Sequence, residues 1–175
     1  MYCGSPVFIE PNRVVITAAD STLPPGDRYF EDYAPGAVFE YGDIQVTEAA
    51  IIEFARRYDP QYLHIDRDAA ADGPFGGLIA SGWHSVALMM RLLVDRFLPK
   101  AASLSSPGID ELRWLKPVRP GDVLRLRVTV LDATPSRSRP DRGVVCTLIE
   151  VLNQDRDVVM SLKPMNIFRR RGTTP

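Results

Sequence analysis

The chain has 175 residues, a formal net charge of -1 and a hydrophobic fraction of 45%, which is the size and composition of one globular domain with its own core. Its 21 basic residues are matched by 22 acidic ones, so no overall basic excess indicates nucleic acid or an anionic membrane surface as a partner. No apolar run approaches the ~20 residues that span a bilayer, and residues 1–21 lack the basic and then apolar pattern of a secretion signal.

The two cysteines, Cys3 and Cys146, fit no metal-binding or redox spacing. We therefore expect two free thiols in a reducing compartment and a cytoplasmic protein. Residues 1–28 contain a Pro-Pro-Gly break at 24–26 and form an irregular N-terminal extension in this interpretation. The sequence leaves open whether it is an arm or a strand packed on a partner. Residues 29–172 are predicted to form the single domain.

The first ordered segments are two short strands and a helix. Val38–Tyr41 and Ile44–Val46 predict strand pieces with a kink at Gly42, and Thr47 is a candidate helix N-cap. Apolar residues then recur at helical spacing, namely Ile51, Phe54, Ala55 and Tyr58. Pro60 forbids a regular continuation, so the helix should end near Tyr58 and leave Asp59 and His64 on a loop.

A longer helix is predicted farther along. After a short helical turn at 66–71 and a glycine-rich run at 74–82, residues 81–98 show apolar side chains at helical spacing and on almost every side. A helix that is apolar nearly all round is typically buried. We therefore expect this one to run through the middle of the domain.

The period then changes from helical to alternating. Val123–Leu131, Val144–Leu152 and Val158–Phe168 predict three strands joined by polar loops, an antiparallel meander. Pro164 indicates a bulge or an edge position in the last strand. One buried helix and an antiparallel sheet together predict an α+β fold in which the sheet wraps around the helix.

Asp59 and His64 are the main candidates for chemistry. A carboxylate and an imidazole can share the proton transfers that add water to a double bond, because histidine can hold either protonation state near neutral pH. The N–H of Gly82 at a helix start can stabilise negative charge on a carbonyl oxygen, and glycine lets a ligand approach the backbone closely.

Each of these signals also has a structural interpretation. An Asp before a proline is typical of a helix stop, and a histidine beside Asp66 is compatible with a purely structural role. The glycines at 76, 77 and 82 also suit turns and close helix packing. A metal site built from Asp59, His64, Asp66 and His84 matches no familiar spacing, and we predict no metal and no redox cofactor.

Residues 54–66, Phe-Ala-Arg-Arg-Tyr-Asp-Pro-Gln-Tyr-Leu-His-Ile-Asp, and residues 75–84, Phe-Gly-Gly-Leu-Ile-Ala-Ser-Gly-Trp-His, resemble the MaoC-like dehydratases. These are relatives of the (R)-specific enoyl-CoA hydratases and have the hotdog fold. The run 112–122 resembles the first strand of the hotdog meander and its following Pro-Gly-Asp turn. The similarity covers roughly residues 33–171.

The resemblance implies that Asp59 and His64 activate water and that Gly82 donates its N–H to a thioester carbonyl. Gln61, Ser81 and Trp83 are the further candidates for binding the substrate or its oxyanion. The hydratases usually carry Asp-x-Asn-Pro-x-His, whereas Gln61 replaces that Asn here and the proline has moved to position 60.

The implied activity is reversible hydration of a 2-enoyl-CoA to a 3-hydroxyacyl-CoA, with coenzyme A or acyl carrier protein as part of the substrate and no other cofactor. The implied assembly is a homodimer or a larger homo-oligomer. A hotdog thioesterase and a non-catalytic acyl-CoA-binding subunit are the alternatives. Arg113, Lys116 and Arg119 are predicted to be solvated surface charges, with the phosphates of the carrier as their other possible partner.

Overall fold

In a computed structural model of the chain, the structure describes residues 15–17 and 24–172. The strands are β1 Val15–Thr17, β2 Val38–Gln45, β3 Ser103–Trp114, β4 Val123–Pro135, β5 Arg142–Leu152 and β6 Val158–Arg169. The helices are α1 Glu48–Tyr58, α2 Tyr62–Ile65, α3 Arg67–Ala71 and α4 Gly82–Arg96. No helix in this described part is long and apolar enough to cross a membrane.

The strands form one sheet in the order β1-β2-β4-β5-β6-β3. β1 runs parallel to β2, and the other neighbouring pairs are antiparallel. The predicted meander is therefore confirmed as β4, β5 and β6. β3 pairs with β6 at the far side of the sheet, although it precedes β4 in the chain. The α+β class is confirmed.

α1 begins and ends as its sequence predicts. The Thr47 hydroxyl accepts a hydrogen bond from the Ala50 N–H at 3.2 Å, which satisfies one of the unpaired donors at the helix start. The helix ends at Tyr58, directly before Asp59 and Pro60. Ile51 and Ala55 are fully buried against the core, so α1 is a firm support for the residues that follow it.

The prediction that α4 is buried on every side is wrong. Met89, Leu92 and Leu93 are buried, whereas Trp83, Met90 and Val94 are 60%, 42% and 44% exposed. α4 packs against β2 and β4, and a single sheet can cover only one side of a helix. The opposite side therefore carries apolar residues that face outward.

Of the two alternatives predicted for Pro164, a bulge or an edge position, the edge position is wrong and an irregularity is present. Pro164 lies in β6, which pairs with both β5 and β3, and it faces Ile109 of β3. Proline has no N–H to donate to a neighbouring strand. The pairing of β3 with β6 shifts register on both sides of the segment 108–110, so the irregularity lies in β3 opposite the proline.

Ion pairs join the two ends of the described domain. The Arg170 Nε lies 3.1 Å from Glu31 Oε1, and an Arg171 Nη lies 2.6 Å from Asp32 Oδ2. Most of the predicted extension, with Cys3, lies outside the described residues, so the boundary at residue 28 stays a prediction. Cys146 is a buried cysteine.

Gly143 in β5 offers a test of the packing between the N-terminal turn and the sheet. A methyl group at this position would overlap the buried ring of Phe30, and overpacking of this kind costs about 1–3 kcal/mol. We expect Gly143→Ala to lower the free energy of unfolding by this amount in urea titrations. Gly108→Ala is the matched control, because its new methyl group would lie 3.7 Å from Met165. Equal stability of the two variants would contradict the packing described here.

Candidate active site

Asp59 lies directly after α1 and is held by two side-chain hydrogen bonds. The Ser81 hydroxyl donates to Oδ2 at 2.6 Å, and the Gln61 amide donates to Oδ1 at 2.7 Å. These bonds, first that of Ser81 and then that of Gln61, hold the pKa of the Asp59 carboxyl below its usual value, because they stabilise the charged form. Asp59 is therefore an ionised carboxylate at neutral pH.

His64 lies in the short helix α2 rather than on the loop that the sequence predicted. The helix forms because the chain turns immediately after Pro60, and it buries the imidazole. Nδ1 lies 2.8 Å from the Ile79 carbonyl oxygen. A carbonyl can only accept, so Nδ1 carries the hydrogen and the neutral ring has its lone pair on Nε2. That nitrogen lies 3.5 Å from Asp59 Oδ2.

Ser81 and Gly82 form the start of α4. Ser81 is the N-cap, and its hydroxyl accepts a hydrogen bond from the Trp83 N–H at 3.2 Å while it donates to Asp59. Gly82 is the first helical residue, and first-turn N–H groups have no partner within their own helix. Within residues 15–17 and 24–172, the Gly82 N–H has no hydrogen-bond acceptor. It is therefore a free donor beside the Asp59 and His64 pair.

Trp114, at the end of β3, is a site residue that the sequence reasoning missed. Its indole Nε1 donates to the Gly82 carbonyl oxygen at 3.0 Å. A Cβ on Gly82 would lie 2.6 Å from the indole, and the ring meets Trp83 edge to face with centroids 5.6 Å apart. No periodic pattern relates positions 82 and 114. The contact between Trp114 and Gly82 depends on how β3 passes α4. The one feature of the sequence that could have indicated Trp114 is an aromatic residue at a predicted strand end.

These residues line one open cavity of about 420 Å³, a volume in the usual range for small-molecule sites. The polar residues that line it are Asp59, Gln61, His64, Gly82, Ser85 and Lys116. The walls are largely apolar and include Phe75, Ile79, Trp83, Trp114, Leu115 and Val118. Five of the six predicted site residues, Asp59, Gln61, His64, Gly82 and Trp83, thus line the cavity. The sixth, Ser81, donates a hydrogen bond to Asp59.

Two of the three basic residues noted in the sequence bind other parts of the protein. Lys116 lines the cavity and pairs with Asp157, with Nζ and Oδ2 2.7 Å apart. An Arg119 Nη donates to the Phe75 carbonyl oxygen at 2.7 Å, so Arg119 supports the glycine-rich run rather than only facing solvent. Arg113 is exposed.

Comparison with known proteins gives the family of the chain. Residues 31–151 match the family profile described as the MaoC-like domain. The chain belongs to the MaoC-like dehydratase family. The fold is accordingly the hotdog fold named from the sequence, with the sheet on one face of α4. The family assignment covers both motifs and the pocket residues between them.

Three relatives illustrate the similarity. A crystal structure of a MaoC-like dehydratase from Rhodospirillum rubrum is 44% identical with a TM-score of 0.78, covering 83% of this chain and 99% of that one. The (R)-hydratase PhaJ1 of Pseudomonas aeruginosa is 25% identical with a TM-score of 0.64, covering 84% and 93%. The 3-hydroxyacyl-thioester dehydratase Z of Mycobacterium tuberculosis strain H37Rv is 31% identical, covering 62% and 73%. Relatives with these names support a hydro-lyase.

His84, the second histidine, stacks on Phe54 with ring centroids 4.8 Å apart and is 5% exposed. Its Nδ1 has no hydrogen-bond partner in the described part of the chain, and burial lowers the pKa of His84 below its usual value. The folded protein thus favours neutral His84, whereas in the unfolded chain it binds a proton near pH ~6.5.

The histidine therefore makes folding stability depend on pH. The stability is fully present above the unfolded pKa and decreases as the pH falls below it, by at most about 1.4 kcal/mol per pH unit. We expect urea titrations from about pH 8 to about pH 5.5 to show a larger loss for the wild type than for His84→Gln, which cannot titrate. Parallel losses in the two proteins would contradict this account.

Proposed function

We propose that this protein is a hydro-lyase that reversibly adds water to a 2-enoyl thioester and yields the 3-hydroxyacyl thioester. The observation that carries the proposal is the facing pair of Asp59 Oδ2 and His64 Nε2, 3.5 Å apart at the wall of the cavity. One water molecule can contact both acceptors. The family and its dehydratase relatives support the reaction class.

The proposed reaction uses the pair as a proton carrier. The water oxygen bonds to C3 of the enoyl group as its O–H bond breaks, and the proton moves to the pair, with the His64 Nε2 lone pair as its acceptor. Electrons shift from the double bond onto the thioester oxygen, where the Gly82 N–H stabilises the negative charge. The proton then passes to C2. Atoms and charge balance without a metal or a redox cofactor.

Substrate and carrier follow from the same geometry. The apolar walls beside Gly82 suit a hydrocarbon chain, and the open cavity of about 420 Å³ leaves a route to solvent for a carrier. We propose coenzyme A or acyl carrier protein as that carrier. Lys116 lines the cavity and is exposed, and we propose that it contacts a phosphate of the carrier.

We also propose that the protein is a homodimer, with the exposed side of α4 in the subunit contact. Trp83, Met90 and Val94 lie on one helix face, since offsets of seven and eleven residues return to the same side. Apolar side chains in such a row, each more than 40% exposed, favour association over contact with water.

The catalytic proposal predicts the effect of one isosteric substitution. Asp59→Asn keeps the shape of the side chain but removes the charge that holds the water, so the hydration rate should fall at least about 100-fold. The measurement follows loss of the conjugated-thioester absorbance of trans-2-butenoyl-CoA. Asp68→Asn, a nearby exposed carboxylate in α3, is the matched control and should retain the wild-type rate.

The proposal fails if wild type and Asp59→Asn are equally inert on a panel of linear and branched enoyl-CoA substrates of different chain lengths. Thiol release from saturated acyl-CoA would instead indicate a thioesterase. Ligand-dependent thermal stabilisation without turnover, unchanged by His64→Ala, would indicate a non-catalytic binding subunit.

The dimer is tested by placing a charge in the exposed helix face. Met90→Glu should shift the protein from dimer to monomer in sedimentation velocity runs, because an unpaired carboxylate would be buried in the contact. Arg91→Gln changes the net charge equally at the neighbouring residue and should remain dimeric. A monomeric wild type would refute the proposal.

A further inference from the structure

The backbone is anchored on both sides of the Gly82 Cα. On the N-terminal side, the hydroxyl of Ser81 donates to Asp59 Oδ2 at 2.6 Å. On the C-terminal side, the indole N–H of Trp114 donates to the Gly82 carbonyl oxygen at 3.0 Å. The N–H that stabilises the oxyanion in the proposed function is that of Gly82 and lies between these two anchors. Its direction therefore depends on both.

The second anchor, Trp114, restrains the Gly82 backbone in the way that a packed side chain on that residue would. Glycine has no Cβ, so nothing of its own can be packed to hold its backbone in place. The Trp114 ring occupies the space where a Cβ would stand, within 2.6 Å of its ideal position. The ring itself is held by its contact with Trp83. Gly82 thus has an aromatic ring on its Cα side and a hydrogen bond on its carbonyl side.

We propose that Trp114 is a positioning residue that holds the Gly82 N–H in the direction of the thioester oxygen. This inference rests on the proposed function for the identity of the substrate. Charge on the thioester oxygen develops during the reaction, and a fixed donor stabilises it without having to reorganise. A donor that can turn away loses part of this effect, so the indole hydrogen bond should influence the rate more than binding of the substrate.

A competing interpretation is that Trp114 is only a wall of the cavity. The two interpretations make different predictions for Trp114→Phe, which keeps an aromatic ring but has no N–H. If Trp114 only forms the cavity wall, its ring is sufficient, so Trp114→Phe should behave as the wild type and only Trp114→Ala should raise KM. If Trp114 is a positioning residue, its indole N–H is required, so Trp114→Phe should already lower kcat.

The first measurement is the kinetics of trans-2-butenoyl-CoA hydration. For Trp114→Phe we expect kcat to fall about threefold to tenfold, the usual effect of one neutral hydrogen bond, with KM changed less than twofold. For Trp114→Ala we expect a further loss of kcat together with a higher KM. Wild-type kcat in Trp114→Phe would overturn the inference.

The second measurement does not require turnover. Butanoyl-CoA labelled with ¹³C at the thioester carbon is saturated and cannot be hydrated, and isotope-edited infrared spectra report how strongly its bound carbonyl is polarised. We expect the carbonyl band to move to lower frequency in the wild type and to move less in Trp114→Phe. Tyr29→Phe is the control, because it removes a hydroxyl group from an aromatic side chain outside the cavity and leaves both the Trp83 contact and the bond to Gly82 in place. Its carbonyl band should match the wild type.

The two measurements separate failure of the inference from failure of the proposed function. A wild type that hydrates no enoyl-CoA but shows a carbonyl shift sensitive to Trp114→Phe refutes the hydratase and supports the positioning role. A wild type that hydrates enoyl-CoA but shows no carbonyl shift, or one that Trp114→Phe leaves unchanged, refutes the positioning role alone. A wild type that neither hydrates enoyl-CoA nor binds butanoyl-CoA refutes both.

Discussion

The hydrogen bond from the Ser81 hydroxyl to Asp59 joins the two halves of the site. Ser81 is buried and is also the N-cap of α4, so one side chain both starts the central helix and holds the carboxylate that follows α1. Its hydroxyl donates to Asp59 and accepts from the Trp83 N–H, which uses its donor and one acceptor position. The relative placement of Asp59 and Gly82 depends on this contact.

The backbone of the segment before α4 likewise holds His64 in place by a hydrogen bond. The Ile79 carbonyl oxygen receives the hydrogen of His64 Nδ1, while the Ile79 N–H donates to the Leu63 carbonyl oxygen at 3.1 Å. Ile79, in the segment before α4, therefore bonds to α2 through both its N–H and its carbonyl group. Gln61, at the position where the related hydratases have Asn, keeps an amide on Asp59, so the substitution retains a donor to the carboxylate.

Local rules predicted much of the fold. The N-cap at Thr47 and the stop at Pro60 gave correct ends for α1, and the alternating apolar residues gave the meander. The prediction for α4 failed because periodicity counts apolar side chains but does not tell whether the protein's own core or a second molecule covers them. Trp114 was missed for a related reason, since its contact with Gly82 depends on the path of β3 across the sheet, and local sequence does not encode that path.

The sheet order has a consequence for which part of the chain can fold by itself. The family profile ends at residue 151, yet β6 comes after it and supplies Met160, Leu162 and Phe168 to the core. β3 pairs with β6 in the described sheet, so a chain ended at 151 would leave β3 and β5 with open edges, which promote aggregation. The matched stretch is thus shorter than the part of the chain that builds the sheet and its core, and without β6 Trp114 would lose its pairing with Met160.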